Sequence, residues 1–154
     1  MTHLGLIVNP IAGMGGKVGL KGTNGVAESA VALGAKPVAP TKAVEFLKRL
    51  KELELTSSMD LVACPGVMGA DEAKSAGLKA QVLPMKLGAE TTAEDTKAAV
   101  RLMVALSVDL LVFIGGDGTA RDILDAMQNS NSLPVLGVPS GVKMYSGIFS
   151  ASSR

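Results

Sequence analysis

Tryptophan is absent from the 154 residues and aromatic side chains make up only 3%, so the stacking platforms that hold single-stranded nucleic acid are missing. Charge of one sign is also lacking. The formal net charge is +1 and no long run of like charges occurs, which leaves no electrostatic footprint for a nucleic-acid partner. The basic cluster from Lys42 to Lys51 alternates with Val44, Phe46, Leu47 and Leu50 at helical spacing and reads as a solvated helix face. A single cysteine, Cys64, excludes an internal disulfide and any multi-cysteine metal site, and its apolar run Leu61-Val62-Ala63-Cys64 suits a reduced, cytoplasmic setting. Met1-Thr2-His3 has neither the charged region nor the long apolar stretch of a signal peptide. No apolar run approaches the ~20 residues that span a bilayer, so no membrane partner is expected.

What is present is aliphatic and small. Hydrophobic residues make up 47%, with Ala, Val, Leu and Gly heavily used, which suits helices packed closely on a sheet. The length fits one domain, able to bury roughly 70% of the surface that its unfolded chain exposes. Short apolar runs recur, each ending in Gly or Pro and most followed by a helical pattern, the signature of parallel βαβ units. Strands are expected at Leu4 to Val8, Asp60 to Cys64, Gln81 to Pro84, Asp109 to Ile114 and Leu133 to Val138. Helices are expected at Val26 to Leu33, Thr41 to Leu53 with Thr41 as N-cap, Ala70 to Ser75, Thr91 to Leu106 and Asp122 to Gln128. Thr91 and Glu94 have capping-box spacing; Ala98, Leu102 and Leu106 are read as the inner stripe of that helix, and Ile123, Leu124 and Met127 as that of the last. The expected class is α/β, a three-layer Rossmann-like fold whose mostly parallel sheet has helices on both faces. In such a sheet the loops after Val8, Cys64, Ile114 and Val138 share one edge, where ligands bind.

The sharpest chemical signal is Gly115-Gly116-Asp117-Gly118-Thr119, placed directly after the most apolar strand. Adjacent glycines there are expected to turn with positive φ and let a ligand approach the backbone, while NH groups opening the next helix suit phosphate. Asp117 supplies a carboxylate, able to accept a hydroxyl proton or help hold Mg²⁺, and Thr119 a hydroxyl for a phosphate oxygen. The plainer reading is a tight turn with a capped helix, but a cap needs one such residue, not an unbroken run of five. Gly13-Met14-Gly15-Gly16-Lys17 fails the Walker A pattern, because Ile11 and Val18 stand where glycine and a hydroxyl are required. It fails the dinucleotide fingerprint too, with Val18 at the third glycine. An anion nest and a solvated linker both remain open for it. Ser140-Gly141-Val142-Lys143 follows a strand and can bring backbone and a cation to the same crevice. His3 and Tyr145 are single residues with no partner legible in the sequence.

These motifs resemble those of a known superfamily. The Gly115 to Thr119 run is similar to the GGDGT motif of NAD kinases, of lipid kinases related to diacylglycerol kinase and, more loosely, of phosphofructokinases. Together with Asn9-Pro10-Ile11-Ala12-Gly13 and Gly137-Val138-Pro139-Ser140-Gly141-Val142-Lys143, it most resembles the bacterial ATP-NAD or AcoX-like branch, over nearly the whole chain. The resemblance implies a kinase that takes phosphate from ATP or polyphosphate, with Mg²⁺, to the 2′-hydroxyl of NAD, a small-molecule nucleotide substrate. It implies Asp117 as the base and as the side chain nearest Mg²⁺. It places Asn9, Gly13, Gly15, Gly16, Lys17, Gly115, Gly116, Gly118, Thr119, Ser140, Gly141 and Lys143 around the phosphates, Lys17 and Lys143 giving charge neutralisation. The Asn-Glu pair found downstream in NAD kinases has no counterpart after Asp122, and the Pro139-Ser140-Gly141 loop replaces an isoleucine-asparagine version. These kinases carry a second, β-rich substrate domain after the GGDGT domain, so the resemblance implies that residues 1–154 are one nucleotide-binding domain of a longer protein, with Ser150 to Arg154 as linker. A lipid or sugar kinase, and a non-catalytic nucleotide-sensing or oligomerisation module, are the alternatives; self-association into a homo-oligomer stays open.

Overall fold

A computed structural model describes residues 1–13, 37–127 and 132–141. Five strands form one sheet: β1 (Thr2–Val8), β2 (Met59–Ala63), β3 (Ala80–Val82), β4 (Leu110–Gly115) and β5 (Val135–Pro139). The order is β3-β2-β1-β4-β5 and every pairing is parallel. Four helices are described among these residues: α1 (Ala39–Glu52), α2 (Ala70–Ser75), α3 (Ala93–Ala105) and α4 (Asp117–Ala126). The expected helix at 26–33 and most of the turn at 129–132 lie outside the described residues.

The central strand shows why the sheet must be covered twice. Leu4, Leu6 and Val8 of β1 join one core with Leu61 and Ala63 of β2, Val112 and Ile114 of β4, and Ala39, Ala43 and Leu47 of α1. Ile7 enters a second core with Val62, Leu111 and Phe113, beneath Ala99, Val100 and Met103 of α3 and Ala120 and Ile123 of α4. Alternate residues of each strand thus serve opposite faces, and strands buried on both faces read as continuous apolar runs. Gly5 makes room for α3, since a Cβ there would fall 2.7 Å from Met103 Sδ.

Four local expectations are corrected. Helix α1 begins at Ala39 with Val38 as N-cap, not at Thr41. Pro40 fits the first turn because it has no NH to satisfy, and the Ala12 carbonyl, a remote group, accepts from the NH groups of Val38 and Ala39 at 3.1 and 3.2 Å. The capping box of α3 is one residue further along: Thr92 Oγ1 accepts from Asp95 NH at 3.4 Å and Asp95 Oδ2 from Thr92 NH at 2.8 Å. Its buried stripe is Thr96, Ala99, Val100 and Met103, while Leu106 is exposed; the segment is apolar on two sides, and spacing alone does not choose between them. In α4 the inner face holds Thr119, Ala120 and Ile123, followed by buried Met127, whereas Leu124 is half exposed.

At the opening edge of the sheet His3 finds its partners. Its ring lies 3.7 Å from Asp60 and 3.5 Å from Asp109, and its NH donates to Asp109 Oδ2 at 2.7 Å, tying the starts of β1, β2 and β4. All three side chains are about half exposed, so this cluster adds little stability. Among the described residues no helix is long and apolar enough to cross a membrane.

Cys64 is fully buried, and burial pushes its thiol up to about 12, with nearby Asp95 adding to the effect. Because the thiolate is the reactive species, thiol reagents at pH 8 should leave Cys64 unmodified in the native protein and label it stoichiometrically in denaturant. Fast native labelling, read by mass spectrometry, would contradict this packing.

Candidate functional site

An all-parallel sheet sends every strand's carboxyl end to one edge. The order β3-β2-β1-β4-β5 further means that the chain moves outward from β1 in one direction and later from β4 in the other. The carboxyl ends of β1 and β4 are therefore the topological switch point, the place at which open α/β sheets bind ligands in a crevice.

Both glycine-bearing loops predicted from the sequence open this crevice. Asn9 follows β1 and continues its pairing, donating its NH to the Ile114 carbonyl at 2.9 Å. Its carboxamide then works in two directions: Nδ2 donates to Thr119 Oγ1 at 3.0 Å, and Oδ1 accepts from the Ile11 NH at 3.3 Å. Asn9 and Thr119, both read from the sequence as phosphate contacts, here contact each other and hold the two loops together. Thr119 is buried, at 2% exposure.

The glycines act differently from expectation. Gly115, Gly116 and Gly118 are not among the residues of positive φ, and Gly116 has an extended φ of −112°. The demand at Gly115 is steric: a Cβ would sit 2.6 Å from Thr119 Oγ1 and 2.8 Å from Thr119 Cβ, so only glycine lets α4 start directly against the end of β4. Gly13, in contrast, does need its left-handed conformation, with φ of +88°. A Cβ on it would meet the Ser140 carbonyl oxygen at 2.2 Å and Val38 Cβ at 2.7 Å. The Asn9–Gly13 loop therefore crosses over the end of β4 and lands on Ser140, whose NH donates to the Gly115 carbonyl at 3.2 Å.

Helix α4 starts at Asp117 with Gly116 as N-cap and no side-chain cap, earlier than the Asp122 start expected. The NH groups of Gly118 and Thr119, in its first turn, have no acceptor within the helix, and the positive end of the helix dipole adds to their attraction for an anion. Asp117, half-buried, stands at the same point. The structure thus brings Asn9, Gly13, Gly115, Gly116, Asp117, Gly118, Thr119, Ser140 and Gly141 to one edge. Gly15, Gly16, Lys17 and Lys143 lie outside the described residues. Among the described residues no group of three or more His, Cys, Asp or Glu side chains is placed to hold a metal ion.

Two features escape the sequence reading. Ser140 Oγ is buried and has no hydrogen-bond partner among the described residues, and the same is true of Glu72 Oε2. Glu72 lies in the first turn of α2 and is 6% exposed. Burial pushes its carboxyl up to about 7; the backbone NH groups of Glu72 and Gly69 act against that rise, and Asp71 reinforces it. The signal was available, because Glu72 shares a helical stripe with Ala73 and Ala76 and so puts a charge on the buried face.

Substitution of Gly13 by alanine should cost at least ~2 kcal/mol of stability, from the left-handed backbone and the contact with Ser140, measured as the denaturation midpoint. A midpoint unchanged in Gly13→Ala would show that the loop does not rest on Ser140. Glu72 gives a pH signature. Its folded pKa of about 7 lies above the ordinary 4.5, so between those values the native state holds a proton that the unfolded chain releases. Its contribution therefore falls as pH rises through that window. Glu72→Gln should accordingly narrow the gap in stability between pH 5 and pH 8, as read from urea melts at both values.

The chain matches no curated protein and no solved structure, but the family model described as ATP-NAD kinase N-terminal domain matches residues 4–153, which include β2 to β5, all but the first two residues of β1 and both glycine-bearing loops. A match of that extent, over an open sheet whose strands are all parallel, shows that the chain belongs to the ATP-NAD kinase N-terminal domain family.

Proposed function

We propose that this domain transfers a phosphoryl group from ATP or polyphosphate to the 2′-hydroxyl of NAD, and that Asp117 takes the proton of that hydroxyl. The family supports a kinase-related phosphotransfer, and the carrying observation is the position of Gly116-Asp117-Gly118 at the switch point, where α4 begins directly after β4 with an acidic residue in its first turn. In the reaction the 2′-oxygen forms a bond to the terminal phosphorus while the bond from that phosphorus to the bridging oxygen breaks. The leaving phosphate carries away the electron pair, and Asp117 holds the proton. A carboxylate of ordinary acidity is a weak base for an alcohol, so alignment of acceptor and donor supplies most of the acceleration.

The remaining residues fall into two groups. Gly116, Gly118, Ser140 and Gly141 are the residues that would meet the nucleotide at this edge; Ser140 Oγ, buried and without a hydrogen-bond partner among the described residues, is the hydroxyl we assign to a phosphate or ribose oxygen. Asn9, Thr119, Gly13 and Gly115 set the shape of the two loops. Lys17 and Lys143 remain the proposed cations for the phosphates, and Gly15 and Gly16 the proposed NH donors. Mg²⁺ fits this donor set in one way. It commonly binds through one or two carboxylates together with substrate phosphates and water, so Asp117 would hold it only in company with the nucleotide. When bound it would neutralise phosphate charge.

The test is NADP formation by the full chain with ATP or polyphosphate as donor, in wild type, Asp117→Asn and Ser140→Ala. Asp117→Asn should lose activity by about 10²- to 10⁴-fold with little change in melting temperature. Ser140→Ala should lose about five- to tenfold, the worth of one hydrogen bond. Full activity in Asp117→Asn would remove it as the base. Phosphorylation of a lipid or sugar alcohol instead of NAD would reassign the acceptor, and nucleotide binding with no turnover would favour a sensor.

A further inference from the structure

Asp117 stands between Gly116 and Gly118, neither of which has a side chain to anchor the turn around it. Helix α4 supplies no side-chain cap there either, since its N-cap position is Gly116. A hold on this turn comes instead from the neighbouring strand. Asn9 continues the ladder of β1 by donating its NH to the Ile114 carbonyl at 2.9 Å. Its carboxamide is engaged at both ends: Oδ1 accepts from the Ile11 NH at 3.3 Å, which leaves the amide nitrogen to face α4, and Nδ2 donates to Thr119 Oγ1 at 3.0 Å. Thr119 is two residues beyond Asp117 in the same first turn, is buried, and is pressed against the end of β4 at Gly115. The first intrahelical bond, from the Ala120 NH to the Gly116 carbonyl at 3.0 Å, closes that turn around Asp117, so that a shift of Thr119 is carried to the carboxylate.

We infer that Asn9 is a positioning residue for the reaction: acting through Thr119, it sets the place of Asp117 at the switch point. The inference rests on the kinase reading, and it gives Asn9 another role than the phosphate contact that the resemblance implies. A carboxamide whose oxygen and nitrogen are both bonded within the protein before any nucleotide arrives would have to break one of those bonds to turn toward a phosphate, and would gain little by the exchange. A base acting on a bound hydroxyl depends, in contrast, on alignment, and a displacement of ~1 Å can cost about 100-fold in rate. The register of β1 against β4 is thereby linked to the reacting group: Val8 pairs with Ile114, Asn9 emerges level with Gly115, and its side chain spans the gap to α4.

Steady-state phosphotransfer by the full chain, with ATP and NAD as substrates, decides it. Asn9→Ala should lower kcat by about 10- to 100-fold and leave KM for either substrate within about threefold. Thr119→Val should do the same, and Thr119→Ser, which restores the hydroxyl, should regain most of that loss. The double variant Asn9→Ala/Thr119→Val should fall no more than about twofold below the slower single variant, because the two side chains act as one unit. In the Asp117→Asn background, Asn9→Ala should cost less than about twofold, whereas a merely structural weakening would cost the same in both backgrounds. A further readout needs no turnover: amide exchange at Ala120 should quicken by about tenfold or more in Asn9→Ala, while Val100 and Met103 of α3 keep their protection. Should Asn9→Ala not fold, Thr119→Val and Thr119→Ser carry the test. A raised KM with kcat intact, an equal loss in both Asp117 backgrounds, or unchanged exchange at Ala120 overturns the inference and leaves the kinase reading standing. No turnover by wild type with either ATP or polyphosphate overturns the kinase reading, and the role of Asn9 with it.

Discussion

β1 pairs in parallel with β2 on one side and β4 on the other, and the chain moves outward from β1 in one direction and from β4 in the other, which puts the switch point at the middle of the sheet. Nothing else in the fold produces a crevice there, because every other pair of neighbouring strands is joined by the chain passing directly from one to the next in order. The register Leu4↔Leu110 through Val8↔Ile114 ends both strands at the same height, so Asn9 emerges level with Gly115 and its side chain reaches the first turn of α4. A slip of one residue would turn Leu6, Ile7 and Val8 to the wrong cores and remove that bridge at once.

The bridge explains the composition of the loops better than a general appeal to glycine flexibility. Thr119 must be buried to accept the Asn9 amide, a buried Thr119 leaves no room for a Cβ at residue 115, and Gly115 follows from the contact. On the other side the carbonyl of Ala12 caps α1, which brings the chain back over β5 and leaves no space for a side chain at Gly13. The backbone thus packs closely at this edge, and the first turn of α4 begins there with the half-buried Asp117.

Strands were legible because burial on both faces leaves an unmistakable apolar run; Leu110 to Ile114 needs no tertiary information to be read. Helix termini were less so. Thr41 and Thr91 are good capping residues by chemistry, but α1 takes its cap from Ala12, distant in sequence, and α3 from the neighbouring threonine with aspartate in place of glutamate. Stripe assignment failed where too many apolar residues were offered, as at Leu106 and Leu124. At the sheet edge the sequence put Asp117 after β4 and Ser140 after β5, where the fold has them, but misjudged why the glycines are there, since a clash with a side chain four residues away is invisible until the helix is built. The pairing of Asn9 with Thr119, across 110 residues of chain, is of the same kind.

Glu72 shows how such absences can still be read. A carboxyl in the first turn of a short helix is ordinarily a favourable partner for the helix dipole and remains in water. Here it is drawn under cover by Ala73 and Ala76, which must face the core, and α2 is too short to turn it away. The fold could have relieved the cost with an alanine at residue 72, for the stripe already accepts alanine on both neighbouring positions. The carboxylate has a local reason to stand there: Gly69 is the N-cap of α2, Glu72 is three residues on, and the backbone NH groups of both favour its charged form against the burial that disfavours it. An alanine would relieve the burial and give up those bonds at the start of a helix too short to be stable without them.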